Sequence, residues 1–278
     1  MRHAWRRGSN VAGLALCAVA TAIVLAPLAL VLYYVLRQGV GALSWQFLTH
    51  LPAPPGQNGG GMGNAILGTI EMLAIAMLIG LPLGLAAAVY CVERGRERLA
   101  PAVRFAADTL TGIPTIVTGL FVYLLLVVPM HRFSGLAGAV ALALVLLPVM
   151  MRASEEALRA LPSSYREGAL ALGATPAQAW RRVLLPAARS GLVGAALTAV
   201  ARTAGETAPL LLTALNNSHW NLRPDQPMAS LTVQIFNYAI SPYDGWHRQA
   251  WAAALTLIVL IVSLSLCARW WGSRQEVA

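Results

Sequence analysis

Residues 64–92 read NAILGTIEMLAIAMLIGLPLGLAAAVYCV. A single charge, Glu71, interrupts this otherwise apolar run. About 20 apolar helical residues cross the ~30 Å hydrocarbon core of a bilayer, whereas a buried core helix needs fewer. The stretch therefore reads as a membrane span. Working outward, five more runs have the same character: Val11–Leu36, Phe105–Pro129, Gly135–Met151, Ser190–Ala214 and Ala250–Trp271. The pattern predicts an all-α membrane protein with six transmembrane helices and too little remaining chain for a separate soluble domain. Residues 1–60 would hold an N-terminal tail, the first span and an extracytoplasmic loop. Residues 61–278 would hold the transmembrane core.

The composition agrees. Of 278 residues, 58% are hydrophobic and only 11% charged, against about 25% charged in ordinary soluble domains. The net charge is +9, and all twenty basic residues are Arg. With no Lys, a Walker A loop and a Schiff-base mechanism are excluded. The first span follows Arg2, Arg6 and Arg7 as a signal peptide would. Its length exceeds a signal core of about 7–15 residues, so it reads as an uncleaved span.

Arg placement predicts orientation. Fifteen Arg fall at the N-terminus, between spans two and three (Arg94, Arg96, Arg98, Arg104), between four and five, and in the tail (Arg269, Arg274). Four lie opposite: Arg37, Arg132, Arg223 and Arg248. Both termini are expected in the cytoplasm, and the basic excess reflects topology, not nucleic-acid binding. Cys17, Cys91 and Cys267 are scattered in or beside apolar runs and read as small hydrophobes. The five His have no ligand spacing, so no metal site is expected. Residues 51–61 form a turn-rich loop, and 216–248 fit either an interfacial aromatic belt or a docking surface for an external binding protein.

The cytoplasmic stretch 152–189 is neither Gly/Ser-rich nor simple. Ser154–Leu161 reads as a short helix stopped by Pro162. Ser163 or Ser164 is expected to cap a second helix that Gly173 ends. Thr175 and Pro176 suit the cap and first position of a third. Taken alone, this is either a connecting hairpin or a docking element. Its residues resemble the EAA loop of ABC importer permeases: Glu167-Gly168-Ala169, three residues, Gly173, nine residues, then Val183, Leu184, Leu185-Pro186. Gly168 replaces the first Ala of that pattern and Val183 its Ile. The resemblance implies a coupling helix docked in a groove of a cytoplasmic ATPase, with Glu167, Gly168, Ala169, Gly173, Val183, Leu185 and Pro186 as coupling residues.

A charge at the bilayer centre costs about 2.5–3.5 kcal/mol on insertion scales, so each needs a reason. For Glu71 and Asp108 a hydrogen bond to a neighbouring helix is expected. Arg202 and Glu206 are spaced i, i+4 in the fifth run, which puts both on one face of a continuous helix. They read either as a helix clamp or as a weak anion site, in which the Arg fork takes the anion and Glu206 competes with it. Two charges beside Gly205 and a kinking Pro209 exceed what a clamp needs, which favours the anion site. Pro114 predicts a second broken span.

Residues 201–214, Ala-Arg-Thr-Ala-Gly-Glu-Thr-Ala-Pro-Leu-Leu-Leu-Thr-Ala, closely resemble phosphate ABC transporter permeases of the PstA type. So do Leu110–Phe121 and the Gly68-Thr69 to Tyr90 segment. The resemblance covers roughly residues 60–270, and Ala208-Pro209-Leu210 is PstA-like and not PstC-like. It implies an inner-membrane subunit of an inorganic phosphate importer, with Arg202 and Glu206 on the substrate path. The implied partners are a PstC-like permease, two PstB-like ATPases and a PstS-like extracytoplasmic binding protein. ATP would be bound by the partner ATPases, with no cofactor in this chain. The residues alone leave other anions open, such as phosphonate, molybdate or sulfate. A secondary carrier or channel is disfavoured by the lack of an inverted repeat and by the coupling loop. An intramembrane enzyme is disfavoured because no nucleophile–base or metal constellation falls in the spans.

Overall fold

The computed structural model describes residues 2–57, 59–95 and 97–274, excluding the side chains of 2–5, 7–9 and 271–274. Arg96 and the side chains of Arg2, His3, Arg7, Trp271 and Arg274 therefore lie outside the described residues. Twelve helices follow in order among those described: α1 (Arg2–Ala42), α2 (Trp45–Thr49), α3 (Gly63–Glu93), α4 (Leu99–Gly112), α5 (Thr115–Met130), α6 (Gly135–Arg159), α7 (Ser163–Ala171), α8 (Pro176–Ala187), α9 (Arg189–Ala204), α10 (Ala208–Thr213), α11 (Leu231–Ala239) and α12 (Asp244–Arg274).

Four of these are long and apolar enough to cross a bilayer unbroken: α1, α3, α6 and α12. The other two expected spans are bent. α4 meets α5 at 105°, and α8 meets α9 at 72°. The first bend has a local cause. Pro114 cannot donate a backbone bond and forces Ile113 into extended backbone (ψ 132°), so the helix ends at Gly112. Two further prolines act more mildly. Pro129 and Pro186 each follow a π-helical turn, at Tyr123–Val127 and Trp180–Leu184. Here Val128 donates to the Tyr123 carbonyl and Leu185 to that of Trp180, one residue further back than in an α-helix.

α3 and α6 form the centre of the bundle. Met72, Ala76, Ala139, Leu142, Leu210, Ala214, Met228 and Val233 make one buried cluster between them and the following loops. Ala88, Cys91, Ala100, Met151, Leu158, Trp180 and Leu184 make another at the opposite end. α1 packs against α12 near its own C-terminal end, where Val35 is buried and Gly39 approaches the Trp251 carbonyl. Its earlier apolar side chains, from Val11 to Tyr34, are uncovered within this chain, as a lipid-facing helix requires. Cys91 is buried, whereas Cys17 and Cys267 are exposed on α1 and α12, so only Cys91 fits the expected buried position.

Two expectations for 152–189 change. Ser154–Leu161 is not a separate helix: α6 runs unbroken to Arg159, because nothing before Pro162 interrupts its hydrogen bonds. Neither Ser163 nor Ser164 caps α7; Pro162 takes the cap position without a side-chain bond. The other two signals behave as expected. Gly173 adopts φ +84°, with Ala174 N–H on the Ala169 carbonyl and Gly173 N–H on that of Leu170, a Schellman ending. Thr175 and Gln178 form a full capping box ahead of Pro176.

Candidate functional site

The fifth span breaks at Gly205–Thr207. α9 ends at Ala204, where the N–H groups of Gly205 and Glu206 turn back to the Arg202 and Thr203 carbonyls. The Thr207 carbonyl then accepts from Leu210 and Leu211, and α10 begins. Pro209 lies in the first turn of that helix, where a missing N–H costs nothing, so it starts a helix and does not kink one. α9 has 16 residues, about 24 Å of rise, which falls short of the ~30 Å hydrocarbon core without the following segment.

The break corrects the expected pairing. Glu206 lies beyond the helix end, so i, i+4 spacing does not place it on the Arg202 face, and the two form no ion pair. The Glu206 carbonyl instead accepts a 3.0 Å hydrogen bond from Thr232 Oγ1. Arg202 is exposed on the chain surface, and its guanidinium has no partner among the described residues. Beside it, the fully buried Thr203 leaves its hydroxyl without a hydrogen bond. A guanidinium without a partner among the described residues offers a fork of N–H donors that matches an oxyanion.

α5, the second part of the bent third span, meets α10. A Cβ added to Gly119 of α5 would lie 2.6 Å from Pro209 Cα of α10, so only glycine allows this approach. Around them, Ser134 N–H bonds the Thr213 carbonyl, Met228 N–H that of Ala214, and Leu231 N–H the Thr69 hydroxyl at 2.8 Å. At the break itself, Gly205 is exposed, Glu206 and Thr207 are half-buried, and the Thr232 hydroxyl satisfies the Glu206 carbonyl.

Asp108 meets the expectation of a bond to a neighbouring helix: both its oxygens accept from Arg152 of α6. Glu71 does not; its half-buried carboxylate has no partner among the described residues. The structure adds an acid that the sequence reading passed over. Glu155, buried on α6, accepts from Arg104 Nε at 2.6 Å, Arg159 Nη2 at 2.7 Å and Arg152 Nη1 at 3.2 Å. The i+3 and i+4 spacing of Arg152, Glu155 and Arg159 was a usable signal; the contribution of Arg104, from α4, was not.

The motif residues of 152–189 divide by face. Glu167, Gly168, Gly173 and Pro186 are exposed, and space beside both glycines is open. Ala169 is buried against this chain, so it does not present a surface to a partner as expected. Val183 and Leu185 are half-buried, Leu185 against the cluster around Trp180. Leu172 is 91% exposed, with Tyr165 and Leu170 also uncovered.

A bundle of apolar helices long enough to cross a membrane, with broken spans and an exposed helical loop, has the architecture of a membrane permease. Residues 80–276 match the family of binding-protein-dependent transport system inner membrane components, and the chain belongs to that family. Its relatives include the phosphate transport system permease protein PstA of Yersinia pestis, 40% identical over 96% of this chain and 91% of that protein. PstA of Haemophilus influenzae is 38% identical, with 97% and 95% covered. A probable PstA of Methanocaldococcus jannaschii is 35% identical, with 88% and 86% covered. In fold the chain is similar to the inward-facing MetNI methionine ABC transporter, with TM-score 0.55, 24% identity and 77% of this chain and 94% of that one covered. It is also similar to an amino acid ABC transporter, with TM-score 0.58, 19% identity and coverages of 77% and 92%. The all-α permease fold and multi-pass inner-membrane location follow, as does a role within a transporter of several subunits.

Proposed function

We propose that this chain is the PstA-type permease subunit of an ATP-driven importer of inorganic phosphate. The observation that carries the reading is Arg202, one turn before the break at the end of α9 and without a partner among the described residues, in a chain similar to PstA. Phosphate would dwell briefly on the guanidinium fork. Glu206, displaced from the helix and not clamped to Arg202, would repel the anion and keep binding weak enough for release. The Arg count supports cytoplasmic termini, with residues 1–60 as a peripheral span and 61–278 as the core. The exposed face of α7 and Leu172 would dock on an ATPase, through Glu167, Gly168 and Gly173. A PstC-like permease, two PstB-like ATPases and a PstS-like binding protein complete the machine. The chain itself hydrolyses nothing; ATP belongs to the ATPases.

The test is ATP-dependent uptake of radiolabelled phosphate by vesicles containing the assembled complex. Uptake that excess sulfate does not reduce supports phosphate; uptake displaced by sulfate, molybdate or phosphonate assigns the path to that anion. Arg202→Gln is expected to abolish uptake while the ATPase still co-purifies. Normal uptake by that variant would refute the anion-path role.

A further inference from the structure

Glu93 is the last residue of α3, and each of its carboxylate oxygens is taken by a different part of the 152–189 stretch. Oε1 accepts from Arg166 Nη2 at 2.5 Å, and Oε2 from the Trp180 indole Nε1–H at 2.6 Å. Arg166 sits on α7 next to Glu167, while Trp180 opens the π turn of α8. The Trp180 ring is itself buried with Ala88, Cys91, Ala100, Met151 and Leu158, so α8 is anchored in the bundle. α7 has little such anchorage, since Ala169 alone among its residues is buried. Besides its chain connection to α6 through residues 160–162, its side-chain link to α3 is the Arg166–Glu93 ion pair.

We propose that Glu93 is the positioning residue that transmits movement of α7 to the transmembrane core. One bond to a carboxylate leaves a pivot, whereas two, from separate elements, fix both the position and the direction of the group. Glu93 thereby joins α7, α8 and α3 at a single point. From there α3 runs unbroken for 31 residues, about 46 Å, to Gly63. Toward its far end the Thr69 hydroxyl holds Leu231 N–H, and the adjacent Thr232 holds the Glu206 carbonyl at the helix break. A continuous set of bonded elements thus links the exposed loop to the segment carrying Arg202. This inference rests on reading 152–189 as the ATPase contact.

The experiment compares phosphate uptake per ATP hydrolysed in proteoliposomes holding the complete complex and its binding protein. Glu93→Ala is expected to lower that ratio about fivefold or more while hydrolysis stays within about twofold of wild type. Arg166→Ala, which leaves the Trp180 bond in place, should lower the ratio as well, and the double variant should be no worse than Glu93→Ala within about twofold, because Glu93→Ala already removes the Arg166 link. Trp180→Phe removes the N–H together with part of the buried indole, so an intermediate loss of the ratio is expected, read beside a Tm that reports the packing lost. An unchanged ratio in Glu93→Ala overturns the proposal, as do losses in the two single variants that multiply in the double. If Glu93→Ala does not assemble, Arg166→Ala and Trp180→Phe decide: a lowered ratio supports the role and an unchanged one overturns it. A wild-type complex that takes up no phosphate overturns the functional reading instead, and the ratio is then measured with sulfate as cargo.

Discussion

Replacing Glu155 by Gln keeps the shape of the side chain and removes its charge from among three arginines. Its carboxylate is 4% exposed, whereas the side chains of Arg104, Arg152 and Arg159 are 19%, 34% and 56% exposed. Removing one member of a buried ion pair costs about 3–5 kcal/mol, because a charge is left without compensation. Asp108 still holds Arg152, and water reaches Arg159, so the low end, about 3 kcal/mol, applies. For a chain of this size that corresponds to a loss of about 6–12 °C in Tm. Cys91 is a local reporter, since its thiol is buried beside the Ala100 carbonyl and its own carbonyl accepts from Arg104. With Cys17 and Cys267 changed to Ser, the temperature at which a maleimide dye labels Cys91 reads opening of this region. Glu97→Gln is the comparison. Its Arg94 partner donates to it and holds the Glu97 carboxyl below the usual carboxylate range, but the pair is exposed. Solvent screens such an exposed pair, so a shift much smaller than that of Glu155→Gln is expected there. Equal shifts in the two variants, or less than about 2 °C for Glu155→Gln, would refute the assignment of Glu155 as the charge that holds α4 to α6.

Gly119→Ala forces a methyl group against Pro209 Cα and is expected to destabilise the chain by about 1–3 kcal/mol, read as a lower Tm together with reduced uptake. Leu172→Asp changes a side chain that packs on nothing in this chain, so Tm should hold while ATPase co-purification falls about tenfold or more. Gly173→Ala places a side chain at φ +84° and costs about 1–2 kcal/mol locally; faster trypsin cleavage at Arg166 than in wild type would report it.

The spans were legible because hydrophobic length is a local property. Gly63–Glu93 lies within a residue of the run read from composition. Gly173 and the Thr175–Gln178 box were equally local, each specified by one or two side chains and a backbone angle. Span five shows the limit. Spacing alone placed Arg202 and Glu206 on one face, but the helix ends between them: Thr232, in the first turn of the distant α11, captures the Glu206 carbonyl, and Pro209 starts a new helix.

What the sequence by itself determined is the number and order of apolar segments, their polar connections and the PstA-like words within them. Burial of apolar length in lipid is paid out along the chain, and no distant partner is needed to read it. Tertiary structure alone decided which charges meet. Asp108 finds Arg152, Glu155 gathers Arg104 from α4, Glu93 takes Arg166 and Trp180, and Arg202 meets no partner among the described residues. A hydrogen bond forms within about 3 Å, and residues 44 to 87 positions apart come that close only after the helices have packed.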